Sequence, residues 1–132
     1  KQDRTNRHHA RFANTDWMFA EGYKAMNLTG KYVYLAGPYS IGDQAENVRN
    51  MIHYADRLMD MGAIVYNPLL SHFHQIYSPR SKSFWYEQTL KFVAKCDLLI
   101  FLPGESRGAE REIQHAKDLW IPVYRIEEVC CD

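Results

Sequence analysis

Apolar residues in this chain fall into short solid runs, separated by longer stretches where they recur every three or four positions. Lys31-Tyr-Val-Tyr-Leu-Ala36 is rich in aromatic and β-branched residues and predicts a strand. The turn Gly37-Pro-Tyr-Ser40 follows it. Asp43 and Glu46 form a capping box, and Val48, Met51, Ile52, Ala55, Leu58 and Met59 then recur at helical spacing up to a stop at Gly62. Ala63-Ile-Val-Tyr66 predicts a second strand, ended by Asn67-Pro68. A loop is expected to carry Ser71-His-Phe-His74 and Tyr77-Ser-Pro79. Ser83 is placed to cap a helix with Trp85, Thr89, Phe92, Val93 and Cys96 on one face. Asp97-Leu-Leu-Ile-Phe-Leu102 is almost wholly apolar, so both faces of this third strand are expected to be buried, as in a parallel sheet. A helix over Ala109–Leu119 and a strand over Ile121–Ile126 complete the pattern. Ahead of it, Thr15–Met26 predicts a short helix and residues 1–14 a polar, basic arm.

Strands alternating with helices in this order predict an α/β fold. The expected architecture is a Rossmann-like (flavodoxin-like) parallel sheet of four to five strands flanked by helices, with right-handed crossovers. Residues 31–132 form this domain and residues 1–30 an N-terminal extension. Ligands of such sheets bind beyond the carboxyl ends of the strands. Three turns converge there: Gly37–Ser40, Asn67–His74 and Pro103–Gly108.

Composition narrows the ligand class. The chain has 132 residues, 46% of them hydrophobic, enough for one domain with a real core. Lys+Arg and Asp+Glu number 16 each, and this neutrality argues against a nucleic-acid polymer as partner. A small anionic ligand needs only a few local charges and remains compatible. Three cysteines, Cys96, Cys130 and Cys131, form no disulfide framework and imply a reducing, cytoplasmic setting. No apolar run approaches transmembrane length and no signal-peptide pattern leads the chain, so no membrane role is expected.

Candidate chemistry concentrates in Ser106-Arg-Gly-Ala-Glu-Arg-Glu112. A hydroxyl, a cation and a close-approach backbone at Ser106, Arg107 and Gly108 suit a phosphate at a helix N-terminus. Glu112 follows on the same helix, where the positive helix end is expected to keep its carboxylate ionised and nucleophilic. Glu110 reads as a solvated neighbour. Tyr34, inside the first strand, reads as core packing or as a phenol that orients a carboxylate. His72 and His74 lack a third ligand, so no metal is expected. Cys96 reads as a buried apolar residue.

Tyr32-Val-Tyr-Leu-Ala-Gly-Pro-Tyr-Ser40, Cys96-Asp-Leu-Leu-Ile-Phe-Leu-Pro-Gly104 and Ser106–Glu112 with His115-Ala116 together resemble the nucleoside 2-deoxyribosyltransferase superfamily. The likeness is nearest to its small bacterial and phage proteins related to nucleoside 5′-monophosphate N-glycosidases. The resemblance implies cleavage of the bond between base and sugar through a covalent glutamyl–sugar intermediate, with no cofactor. It implies Glu112 as nucleophile, Tyr34 as the residue orienting it, and Gly37 in the turn that wraps sugar and phosphate. Superfamily members acting on free nucleosides carry aspartate six positions before the nucleophile, whereas the monophosphate hydrolases carry serine, as here at Ser106. A carboxylate there would repel a 5′-phosphate, and a hydroxyl can donate to it. The expected reaction is therefore hydrolysis of a nucleoside 5′-monophosphate, with the phosphate on Ser40, Ser106, Arg107 and Gly108. The base is expected toward Asn67, His72, His74, Trp85 and Thr89. Relatives form dimers or higher assemblies, which implies a homo-oligomer. One departure stands out: Thr89 occupies the position, eight before Asp97, where the superfamily commonly has an aspartate. Transfer of the sugar to a second base, or nucleotide binding without turnover, are the alternatives. A lysine-decarboxylase-like phosphoribohydrolase is disfavoured because Pro103–Gly108 lacks that group's double-glycine pattern.

Overall fold

The computed structural model describes residues 17–20 and 23–130. The basic arm expected over 1–14 and Cys131 lie outside the described residues. The helix expected over Thr15–Met26 is replaced by two antiparallel strands, Trp17–Ala20 (β1) and Tyr23–Met26 (β2), with Trp17 opposite Met26. This segment is rich in aromatic residues, which favour extended pairing over helix.

The main sheet contains Tyr32–Ala36 (β3), Ile64–Tyr66 (β4), Leu98–Phe101 (β5) and Val123–Arg125 (β6). All four strands are parallel, in the order β4-β3-β5-β6. This is the expected α/β architecture, with four strands. Gln44–Asp60 (α1) links β3 to β4. The Asp43 side chain caps it, accepting from the Glu46 N–H at 3.1 Å. Gly62, at φ +89°, turns the chain beyond it. The inward stripe of α1 is Val48, Met51, Ala55 and Leu58. Ile52 and Met59, expected on that face, are exposed, because only a stripe of the helix meets the sheet.

The segment after β4 is helical where a loop was expected. Pro68–Leu70 forms a 3₁₀ turn and Ser71–Tyr77 a short helix (α2). Asn67 starts it by accepting from the Leu69 N–H at 3.0 Å, and Pro68 has its φ preset for the first turn. Lys82–Val93 (α3) is capped by Ser81 rather than Ser83: the Ser81 hydroxyl accepts from the Phe84 N–H three residues on, at 3.1 Å. Ser83 already lies within the first turn, so its own N–H is one of those a cap must serve. Arg107–Asp118 (α4) follows β5. The strand expected over Ile121–Ile126 is shorter, and the chain instead closes with the helical turn Ile126–Val129 (α5).

Strand residues alternate between two cores, as a pleated backbone requires. Val33, Leu35, Leu98 and Ile100 pack with α1 and with Ile126 and Val129. Tyr34, Ala36 and Leu99 pack with Val93, Cys96, Ala109, Ala116 and Ile121, on the side of α3 and α4. The chain runs from central β3 outward to β4, then back across to β5. That reversal opens a crevice beyond the carboxyl ends of β3 and β5.

The two turns flanking this crevice touch. A side chain at Gly104, which has φ +123°, would stand 2.6 Å from Pro38 Cγ. One at Gly37 would stand 2.8 Å from Met51 Sδ. Gly104→Ala therefore combines backbone strain with a clash between turns and is expected to cost about 1–3 kcal/mol. Urea unfolding measures this; an unchanged midpoint would show that the turns are not locked together.

Candidate active site

A cavity of about 640 Å³ occupies the crevice. The turn after β3 supplies Gly37, Tyr39 and Ser40 to its wall. Leu69, Ser71 and Gln75 come from the segment after β4, Trp85, Tyr86 and Thr89 from α3, and Ser106 to Ala109 with Glu112 from the start of α4. Of the residues expected at a site, Gly37, Ser40, Trp85, Thr89, Ser106, Arg107, Gly108 and Glu112 line this one cavity. Asn67, His72 and His74 are not among the lining residues. Each instead supports a neighbour: Asn67 caps the 3₁₀ turn, His72 Nδ1 hydrogen bonds the Tyr39 hydroxyl at 2.9 Å, and His74 packs edge-on against Trp85. Among the described residues no group of three or more His, Cys, Asp or Glu is placed to hold a metal.

At the floor of the cavity the Tyr34 hydroxyl donates to Glu112 Oε2 at 2.5 Å. Tyr34 is fully buried and Glu112 only 7% exposed. The pairing follows from register and helical geometry. Tyr34 is an inward residue of β3 on the α4 side, and Glu112 shares the sheet-facing stripe of α4 with Ala109 and Ala116. Burial pushes the Glu112 carboxyl from 4.5 up to about 7, against the opposing effect of hydrogen bonding. This corrects the expectation that the helix end keeps it low. Ser106 is the cap, so Glu112 sits in the second turn, beyond most of the helix-end field, and loss of water dominates. Burial, then the Glu112 charge, raises the Tyr34 phenol well above its ordinary value, so it stays a donor.

Thr89 stands beside this pair. Its hydroxyl lowers the Glu112 carboxyl when it donates to it, yet it also lies 3.1 Å from the Tyr86 carbonyl. One proton cannot serve both at once, so Tyr34 is the donor to Glu112 that does not depend on how the Thr89 hydroxyl turns. Glu87, the nearest carboxylate in sequence, is exposed and pairs with Lys91 at 3.3 Å on the outer side of α3.

The mouth of the cavity is suited to an anion. The Ser106 hydroxyl caps α4 by accepting from the Ala109 N–H at 3.1 Å, and its own proton is free to donate outward. Gly108 packs closely on Tyr86, whose ring a side chain there would meet at 3.3 Å, and it lines the cavity with backbone alone. Arg80 and Lys82 join Arg107 on the wall, against Glu105 and Glu112. Sequence reading missed Arg80, Lys82, Tyr39, Tyr86 and Gln75. The basic stretch Arg80-Ser-Lys82 at the start of a helix was the one available signal.

A sequence model for a domain of unknown function, DUF4406, matches residues 31–125, the span that builds the sheet and the cavity. The chain belongs to the DUF4406 family. No functionally curated protein matches it. Among the described residues of this DUF4406 domain, no helix is long and apolar enough to cross a membrane. Cys96 is buried, and burial pushes its thiol up to about 12, which fits a core residue rather than a nucleophile.

Holding Glu112 in the core has a consequence for stability. Its carboxyl keeps its proton up to about pH 7 when folded but releases it near 4.5 when unfolded. Its contribution is therefore most favourable below pH 4.5 and is lost as pH rises to about 7. Glu112→Gln removes the ionisation while keeping an acceptor for Tyr34. It is expected to be more stable than the parent at pH 8, by up to about 3 kcal/mol, and nearly equal to it at pH 4.5. Urea unfolding at the two pH values checks this; a variant less stable at pH 8 would contradict it.

Proposed function

We propose that this DUF4406 protein hydrolyses the N-glycosidic bond of nucleoside 5′-monophosphates. The observation that carries the reading is the buried Tyr34–Glu112 pair, set in the floor of a cavity whose rim is the phosphate-suited Ser106–Gly108 helix start. The resemblance to the nucleoside 2-deoxyribosyltransferase superfamily supports the same assignment of roles.

In this reading the phosphate rests on Ser106, Arg107 and Gly108, with Ser40 opposite. Tyr34 holds Glu112 Oε2, leaving Oε1 to attack C1′. The bond from Oε1 to C1′ forms as the bond from C1′ to the base nitrogen breaks, and the electron pair leaves with the base. Water then attacks C1′, the ester to Oε1 breaks, and Glu112 returns as a carboxylate, the logic of a retaining glycosidase. Thr89 provides no ionisable acid, so the departing base takes its proton from water, and the hydroxide left behind takes up the proton that the attacking water sheds. Desolvation costs the carboxylate stability but leaves it a stronger nucleophile once ionised.

Thr89 also favours a second reading, nucleotide binding without turnover. Incubation with ribo- and deoxyribonucleoside monophosphates, scoring released base, separates the two. Hydrolysis lost by at least about a thousandfold in Glu112→Gln is expected; tight binding with no base released would leave only the second reading. Addition of a second free base, with a search for a new nucleotide, distinguishes hydrolysis from sugar transfer.

Two further outcomes are expected. The hydrolysis rate at saturating substrate should climb as pH rises through about 7 and level off above it, because only ionised Glu112 attacks. A flat profile from pH 5.5 to 8.5 would argue against Glu112 as nucleophile. Ser106→Asp should weaken monophosphates by about tenfold or more relative to the matching nucleosides, and an unchanged ratio in competition assays would remove the phosphate from this rim.

A further inference from the structure

Gln75 carries no sequence motif, yet it lines the cavity from α2. Its Oε1 accepts two hydrogen bonds, from Trp85 Nε1 at 2.7 Å and from the Arg80 backbone N–H at 3.0 Å. Both partners can only donate, which fixes the end of the amide that is oxygen. The two N–H groups of Nε2 are then left without a hydrogen-bond partner among the described residues. A half-buried amide whose oxygen is engaged offers the cavity donors only. The same bond steadies the Trp85 indole, which is also held edge-on by His74 at 5.3 Å and Phe84 at 5.2 Å. Donor and aromatic wall thus form one rigid unit.

We infer that Gln75 is a specificity residue selecting nucleotides whose base presents a ring carbonyl over those with an amino group at the same position. The inference rests on the nucleotide reading above. A carbonyl accepts from Nε2, whereas an exocyclic amine would set donor against donor. The chemistry points the same way. With Thr89 supplying no acid, the electron pair released from C1′ stays on the base until water protonates it. A ring carbonyl spreads that charge onto an oxygen, where the Gln75 N–H groups stabilise it.

The test is a ratio of dissociation constants for two pairs that differ by carbonyl or amine: uridine and cytidine monophosphates, and inosine and adenosine monophosphates. Calorimetry in the catalytically silent Glu112→Gln protein measures binding apart from turnover. With Gln75 present, the carbonyl member of each pair should bind about tenfold tighter. In the Gln75→Glu protein the order should reverse. One carboxylate oxygen still serves Trp85 and Arg80, while the other offers an acceptor to the amine. Gln75→Leu should bring the ratio near one. Equal ratios in the Gln75 and Gln75→Glu proteins would overturn the inference, since a residue that merely braces Trp85 would leave them alike. Failure of all four nucleotides to bind would overturn it as well. The expected ratios, together with a parent protein that releases no base from any nucleotide, would instead defeat hydrolysis and leave this role of Gln75 standing.

Discussion

Burial of the central strands β3 and β5 on both faces governs the rest of this molecule. Their backbone groups are satisfied by parallel ladders, and the side chains of Val33 to Ala36 and Leu98 to Ile100 have no route to water. Alternation then assigns every residue to one of two cores. Val33 and Leu35 go to the α1 side, Tyr34 and Ala36 to the α4 side. A tyrosine placed in such a core must find a partner for its hydroxyl, and in this fold the partner is Glu112. The pair is a cost to stability, since a carboxylate is drawn out of water against an otherwise apolar layer. What the arrangement supplies is a desolvated carboxylate with one oxygen fixed by Tyr34, on a residue that lines a cavity.

Topology decides where that cavity lies. The chain doubles back between β4 and β5, so the turns after β3 and β5 separate from the helices on either side and form a crevice. Contact of Pro38 with Gly104 keeps the turns together. In the proposed function the start of α4 serves both ends of one ligand. Its cap and first turn present Ser106, Arg107 and Gly108 at the rim, and its second turn carries Glu112 at the floor. The six-residue spacing is thus a physical distance along a helix, which the proposed function reads as the separation between a bound anion and a reacting carbon.

Some of this was legible in the linear pattern. The solid apolar run at Leu98–Phe101 announced a strand buried on two faces, and the helical spacing of Val48, Met51, Ala55 and Leu58 announced α1. Other parts were not. The Trp17–Met26 segment has residues compatible with either period, and pairing between strands decided for extended structure. The short helix Ser71–Tyr77 buries none of its side chains, so it leaves no periodic signature. His72 and His74 looked like site residues because of their type, yet they brace Tyr39 and Trp85 from outside the wall.

The sequence by itself determined the α/β order, the strands and helices that build the sheet, and the local grouping of a hydroxyl, a cation and a carboxylate on one helix. These depend on interactions between residues a few positions apart, which spacing records directly. Only the tertiary structure decided that Tyr34 and Glu112, 78 positions apart, form a hydrogen bond, that burial rather than the helix end governs the carboxyl, and that Gln75 lines the cavity with its oxygen engaged by Trp85 and Arg80. Those outcomes depend on desolvation and on partners brought together across the fold, which no local pattern encodes.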